Sequence, residues 1–296
     1  MVQVKTGIRP EEVRAGGEHV LFVEGSEDGS LDQAVLRALL GNTLRVEVMG
    51  PSYFVRSAAQ ALAPHHPRYY FLIDRDHYND EFVEKSWEGF PDADKDNLLV
   101  WRRREIENYF LEPPFLVESA FCRTSETRLK TTLVKAAQEC VFLDVANSVI
   151  SSVREEQKST WINHFANPQD FTSKAVAIEQ LRSHKAFIER SKKVSEMLSK
   201  DELTERLETT LASMTGGGET LTCGTGRWIE MIRGKKVLTQ LLSSGGFQVK
   251  DANGQPLQGE ERVKEIVKEL VVKDVDSRPK DLVKLKQLLQ ERVASQ

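Results

Sequence analysis

The sequence predicts an α/β protein, with a parallel sheet flanked by helices and followed by a mainly helical C-terminal region. Three observations predict it. Over the first hundred residues, short apolar runs alternate with apolar residues at helical spacing, the signature of parallel crossover units. Each run is closed by glycine, proline or a polar cluster. Beyond Pro113-Pro114 the strand pattern stops, and apolar residues recur at three- and four-residue intervals. Two regions follow from this: a sheet-forming domain over residues 1–112 and a helical region over 113–296.

The elements run in order. Glu18 to Val23 reads as a strand entered from Gly16-Gly17, and it ends at Glu24-Gly25. Gly25 and Gly29 permit a tight turn, Ser30 or Asp28 is placed to cap a helix, and Leu31, Val35, Ala38 and Leu39 mark that helix over 31–40. Gly41-Asn42 stops it. Leu44 to Met49 is the second strand, and Phe54, Ala58, Ala59 and Leu62 mark a helix ended by Pro64. Tyr69-Tyr70-Phe71-Leu72-Ile73 is the third strand, a buried run that stops on Asp74-Arg75-Asp76. Leu98 to Trp101 is the fourth. In the second region, 116–121, 129–149 and 175–211 read as helices and Gly216-Gly217-Gly218 as a flexible break. The Asn253-Gly254 pair suggests a hairpin from Phe247, and helices over about 259–272 and 280–292 finish the chain.

Composition bounds the function. The chain of 296 residues is 40% hydrophobic and 29% charged, an ordinary globular balance. It has no apolar run of about 18 residues and no apolar signal-peptide core in Met1 to Thr6, so no membrane partner is expected and the cytoplasm is the default. Three scattered cysteines, Cys122, Cys140 and Cys223, suit a reducing compartment and have no zinc spacing. Residues 1–110 carry 13 Lys and Arg against 19 Asp and Glu, whereas the rest of the chain carries 28 against 26. An acidic first part is suited to binding a cation rather than to gripping nucleic acid by bulk charge.

Two carboxylates at the end of a buried strand are costly unless a cation compensates them. Ligands of parallel sheets bind outside the carboxyl ends of the strands. Glu24 follows the first strand, Asp74 and Asp76 the third, and Glu105 and Glu107 lie just after the fourth. Hard cations such as Mg²⁺ or Mn²⁺ take such oxygen ligands and keep waters and substrate phosphates as well. Phosphodiester cleavage is the chemistry this set serves best. Arg102-Arg103-Arg104 is placed either to steer phosphates or to pair with nearby acids, and His65, His66 and His77 read as solvent-facing.

Val23-Glu24-Gly25-Ser26-Glu27-Asp28, followed about fifty residues on by Leu72-Ile73-Asp74-Arg75-Asp76, resembles the TOPRIM domain of topoisomerases, primases and OLD-type nucleases. Arg104-Glu105-Ile106-Glu107-Asn108-Tyr109-Phe110-Leu111 and, downstream, Arg233-Gly234-Lys235 are similar to motifs of a stand-alone bacterial branch. That branch includes the AriB-type effector nucleases of PARIS anti-phage defence. The resemblance implies a Rossmann-like sheet, Mg²⁺ or Mn²⁺ as cofactor, and Glu24, Asp28, Asp74, Asp76, Glu105 and Glu107 as the metal-site acids. It implies catalytic roles for Glu24 and Glu107, and for Lys235 as a fixed positive charge. The Ser-x-Glu element of other OLD nucleases is absent here, Arg104-Glu105 and Ile106-Glu107 standing in its place.

The activity implied is that of a toxic endonuclease cutting tRNA, restrained by a separate ABC-type ATPase of the AriA kind and active as a homodimer. No Walker A lysine motif occurs in the chain, so that ATPase is another protein. The alternatives are a non-catalytic binding module and a DNA-nicking repair nuclease of the OLD type.

Overall fold

In the computed structural model, residues 18–25, 29–76, 78–92, 94–159 and 167–295 are described. The elements are β1 (Val20–Glu24), α1 (Leu31–Leu40), β2 (Arg45–Gly50), α2 (Ser52–Leu62), β3 (Tyr69–Ile73), α3 (Asp80–Gly89) and β4 (Leu98–Val100). A 3₁₀ turn (Ile106–Phe110) leads to α4 (Pro113–Leu116), α5 (Glu126–Gln138), α6 (Val141–Ser159), α7 (Lys174–Ser183), α8 (Lys185–Met197) and α9 (Lys200–Thr215). α10 (Trp228–Met231), α11 (Gly234–Ser243), α12 (Gly259–Val271) and α13 (Lys280–Ala294) close the chain.

The four strands form one all-parallel sheet in the order β2-β1-β3-β4. The chain winds outward from β1 to β2 and then crosses back over β1 to β3. The connections therefore diverge at the β1/β3 pair, where open parallel sheets leave a crevice at the carboxyl ends. The register pairs Val23 with Leu72, which brings Glu24 level with Ile73, and the backbone N–H of the next residue, Asp74, reaches the Glu24 carboxyl. β3 is buried along its whole length, as its uninterrupted apolar sequence requires of a strand covered on both faces. The helices start where their caps dictate: the side chains of Ser30, Asn79 and Ser125 accept the backbone N–H groups of Gln33, Phe82 and Arg128.

The chain divides into two compact units, one made of residues up to Cys140 together with Ile229–Gln296, the other of Val141–Trp228. This differs from the expected boundary after residue 112. Pro113-Pro114 is no linker: it opens α4 in the first helical turn, where proline is tolerated. Within the first unit α5 and α12 pack on α11, while α12 and α13 pack on α1. In the second unit α6 and α9 pack together, and Arg206 on α9 joins Glu156 of α6 and Glu202 of its own helix.

Several helical expectations are corrected. The pattern over 129–149 divides after Gln138 into α5 and α6, and that over 175–211 into α7, α8 and α9, with the Ser199 side chain starting α9. The Asn253-Gly254 pair does sit in a minimal hairpin: Lys250 bridges Pro256 antiparallel across the turn, with the N–H groups of Asp251 and Leu257 donating to the carbonyl oxygens of Gln255 and Val249, while Phe247 bridges Cys122. The Gly216-Gly217-Gly218 stretch is held, since the Thr215 hydroxyl oxygen accepts the N–H groups of Gly217 and Gly218. α3 adds an element between β3 and β4 that the periodicity did not show.

Candidate functional site

The carboxyl edge of the sheet collects acids from four segments. Glu24 ends β1 at a register shift, where the strand leaves its regular pairing with β2 and Gly25 bridges Gly50. Gly25 has φ 149°, and a Cβ there would lie 3.0 Å from Val48 Cγ1, so a side chain would disturb the turn that aims Glu24. The Glu24 carboxyl is pushed up by burial and by Asp76, while the backbone amides of Asp74 and Ser52 favour its charged form. Its Oε2 is buried and meets no hydrogen-bond donor.

Asp74 and Asp76 flank a buried arginine. Arg75 bonds the carbonyl oxygens of Tyr78 and Arg102, at 3.2 and 2.8 Å, and Asp80 at 2.6 Å. These bonds fix the backbone between the two acids. Asp76 is exposed and takes the left-handed conformation, φ 44°, which aspartate tolerates better than most residues. Burial, followed by the charges of Asp32, Glu24, Glu107 and Glu105, raises the Asp74 carboxyl well above the carboxylate range.

The 3₁₀ turn after β4 supplies the other acids. Glu107 is buried at 6% exposure. Burial pushes its carboxyl up to about 8, with Asp32 and Glu105 adding to the effect and Lys235 opposing it. Glu105 is engaged differently: its Oε2 accepts the backbone N–H of Lys235 at 2.8 Å, in the first turn of α11, and Arg104 lies 3.7 Å from its Oε1. Of the two acids, Glu107 is the one shut into the cluster, and Glu105 fastens α11 to it.

Lys235 reaches the acids through Gly234. A Cβ on Gly234 would lie 2.4 Å from Asn108 Oδ1 and 2.8 Å from the Asn108 nitrogen, so only glycine lets α11 start against the 3₁₀ turn. Buried Asn108 completes the junction by donating to the carbonyl oxygens of Ile229 and Ile232 at 2.7 and 2.9 Å. The two downstream motifs of the sequence are thus parts of one packed joint.

Asp32 is the site residue that the sequence reading missed. It sits in the first turn of α1, directly beyond β1. Burial takes its carboxyl up to about 7, with Glu24 and Glu105 raising it further and Lys235 lowering it. The available signal was an acid eight residues after Glu24 at the carboxyl edge, but acids are common in first turns for a plain electrostatic reason. Asp28 lies outside the described residues, as does His77.

The arginine run is committed to pairing. Arg102 forks onto Glu84 at 2.7 Å, contacts Asp281 at 2.8 Å and stacks over Trp87; Arg103 joins Glu112; Arg104 joins Glu105 and the Met231 carbonyl oxygen. It frames the joint and is not a free phosphate ladder.

The donor chemistry fits a divalent cation: all the donors are carboxylates, they repel one another, and one buried oxygen of Glu24 is without a donor. The spacing fits less closely. Among the described residues no three Asp, Glu, His or Cys side chains are arranged to hold an ion as they stand. No described helix is long and apolar enough to cross a membrane. No protein-family model matches the chain, and neither the curated proteins nor the solved structures yield a match.

Proposed function

We propose that the chain is a Mg²⁺- or Mn²⁺-dependent phosphodiesterase of the TOPRIM type, an endonuclease with RNA as its substrate. The observation that carries this reading is the meeting of Glu24, Asp32, Asp74, Glu105 and Glu107 with Lys235 beyond β1 and β3, where burial and then neighbouring acids raise the carboxyls of Glu24, Asp32, Asp74 and Glu107. Mutually perturbed carboxylates in a polar crevice are a mark of functional sites. Glu24, Asp74 and Asp76 are the residues to hold the ion, which when bound supplies a Lewis acid for the phosphate and an activated water. Glu107, protonated up to about pH 8, is suited to proton transfer at the scissile bond. Lys235 offers a fixed positive charge where negative charge develops.

The biological role comes from the resemblance alone: a toxic effector that cuts tRNA, held in check by an AriA-type ATPase and active as a homodimer. The exposed apolar side chains of the second unit suit such partner contacts. A second reading, a non-catalytic binding module, is favoured by the lack of a three-residue ion cage among the described residues.

The test is direct. Purified wild type and Glu24→Gln are incubated with tRNA and supercoiled plasmid, with Mg²⁺ or with chelator. The proposal expects tRNA fragments only from wild type with Mg²⁺, and unchanged plasmid. Equal cutting by Glu24→Gln sinks the site assignment, inert wild type favours the binding module, and nicked plasmid with intact tRNA favours a repair nuclease.

A further inference from the structure

Beside the acid cluster runs an open groove of about 560 Å³ lined by Glu105, Arg233, Lys235, Lys236, Thr239, Gln240 and Ser243. Six of these seven residues come from one stretch of chain, and they recur at three- and four-residue spacing. They are the outer face of α11 and its cap. The inner face, Gly234, Val237, Leu238, Leu241 and Leu242, is buried. The burial of four apolar side chains holds the helix in this orientation. The outer face is therefore presented by the core and is not free to rotate.

The chemistry of that face is graded. Arg233, Lys235 and Lys236 lie at the end nearest Glu105, and hydroxyl and amide groups follow along the helix, with Gln240 tied to Glu139 at the far end. No Asp or Glu occurs from Met231 to Ser244, in a chain of net charge −4. A helix of ten residues offers a face about 15 Å long. A row of cations followed by uncharged donors beside a set of acids matches a polyanionic strand whose one phosphate reaches the acids while its neighbours lie outside.

We propose that the outer face of α11 is a track for the sugar-phosphate backbone of a nucleic-acid strand leading away from the acid cluster. Lys236 is a phosphate contact, and Thr239 and Ser243 are hydrogen-bond donors further along. The inference rests on the nuclease reading above and extends it to how the substrate lies. Lys235 faces both the groove and the acids, so the track begins where the proposed chemistry takes place. Backbone contacts of this kind position the strand without reading its bases.

The experiment measures binding of a fluorescein-labelled single-stranded RNA by anisotropy across a salt series, in the Glu24→Gln background to suppress cleavage. Lys236→Ala is expected to weaken binding several-fold at low salt and to reduce the slope of log K against log salt by about 0.7, one phosphate contact on a single strand. Lys85→Ala, which removes the same charge from exposed α3 outside the groove, is the control. An unchanged slope for Lys236→Ala overturns the track, as does an equal fall for both variants. Wild type that leaves the same RNA uncut in Mg²⁺ would instead count against the nuclease reading, and cleavage persisting in Glu24→Gln against the acid-site assignment, so these failures are distinct from that of the track.

Discussion

The two compact units use their apolar residues in opposite ways. In the first, β3 is wholly buried, and Trp87, Trp101, Tyr109, Phe110 and Phe115 are enclosed around the sheet and the 3₁₀ turn. In the second, the cluster of Val149, Val153 and Met197, with Val194 and Leu203 against it, is small, and α7 buries none of its described residues. Of the thirteen large hydrophobic side chains exposed among the described residues, ten lie between residues 141 and 228. The contrast teaches what each unit is able to do. Holding five repelling carboxylates together costs free energy, and only a densely packed frame keeps them in place. A thin helical assembly has no such surplus, but it offers apolar surface to another chain.

The sharpest way to break the comparison is at the acids. Asp74→Asn is expected to lower Mg²⁺-dependent cleavage by ~10²–10⁴-fold, while leaving the melting temperature of the metal-free protein unchanged in acid and raising it at alkaline pH, where the native carboxyl would have to ionise among other acids. A variant that loses activity and stability together would mean that Asp74 supports the frame and not the chemistry. Calorimetry and a cleavage assay on one preparation decide between them.

Next in size is the joint between the 3₁₀ turn and α11. Asn108→Ala leaves the carbonyl oxygens of Ile229 and Ile232 without their donor, a loss of about 1–3 kcal/mol. Gly234→Ala drives a methyl group into Asn108 and is expected to cost a similar ~1–3 kcal/mol. At about 2–4 °C per kcal/mol, both shifts are visible by thermal melting, and both variants are expected to lose activity as Lys235 moves away from the acids.

A smaller effect concerns pH. The folded-state pKa values of Asp32, at about 7, and Glu107, at about 8, lie above those of the unfolded chain, and Glu24 and Asp74 shift the same way. Between the unfolded values and these raised ones the folded chain binds more protons. The stability they contribute is thus complete below about pH 4 and is lost as pH rises towards 8. In chelator, the melting temperature is expected to fall from pH 5 to pH 8.5, and Asp32→Asn is expected to flatten that fall. Mg²⁺ binding should release protons and strengthen as pH rises, a trend that titration calorimetry in two buffers would detect. A flat profile in the wild type would show that neither burial nor mutual repulsion raises these carboxyls.

The smallest expected change sharpens the other side of the comparison. Leu181→Glu and Ile188→Glu alter exposed side chains of α7 and α8 and are expected to move stability by less than ~0.5 kcal/mol and to leave catalysis alone. Their effect should appear in sedimentation, as weaker self-association. A large drop in melting temperature would reveal these positions as core.

Much of the first unit was legible in the sequence because burial and period coincide there. The uninterrupted apolar run of β3 and the glycine and proline stops around β1 and β2 left few other readings. Glu24, Asp74, Asp76, Glu105 and Glu107 stood out as acids following strands. Asp32 did not, since a helix start gives an acid an ordinary reason to be present. α3 escaped because only Val83 and Trp87 of its ten residues are buried, too sparse a stripe to show a period. The breaks after Gln138 and at His184 carry neither glycine nor proline, so the helical spacing of the sequence shows no boundary there. Contacts across more than a hundred residues, such as Asn108 with Gly234, leave no local trace.

That contact also bears on how the chain is threaded. The second unit is an insertion: the polypeptide leaves the first unit after Cys140 and comes back at Ile229. On its return, the Ile229 and Ile232 carbonyl oxygens are both held by one amide group, that of Asn108, just ahead of Lys235. The returning chain is thereby moored before it reaches the acids. Cleavage by a chain whose inserted segment is exchanged for one of different length is therefore expected to persist provided that Asn108 and the residues from Ile229 to Lys235 are kept. Those few residues mark the seam at which the insertion is separable from the chemistry.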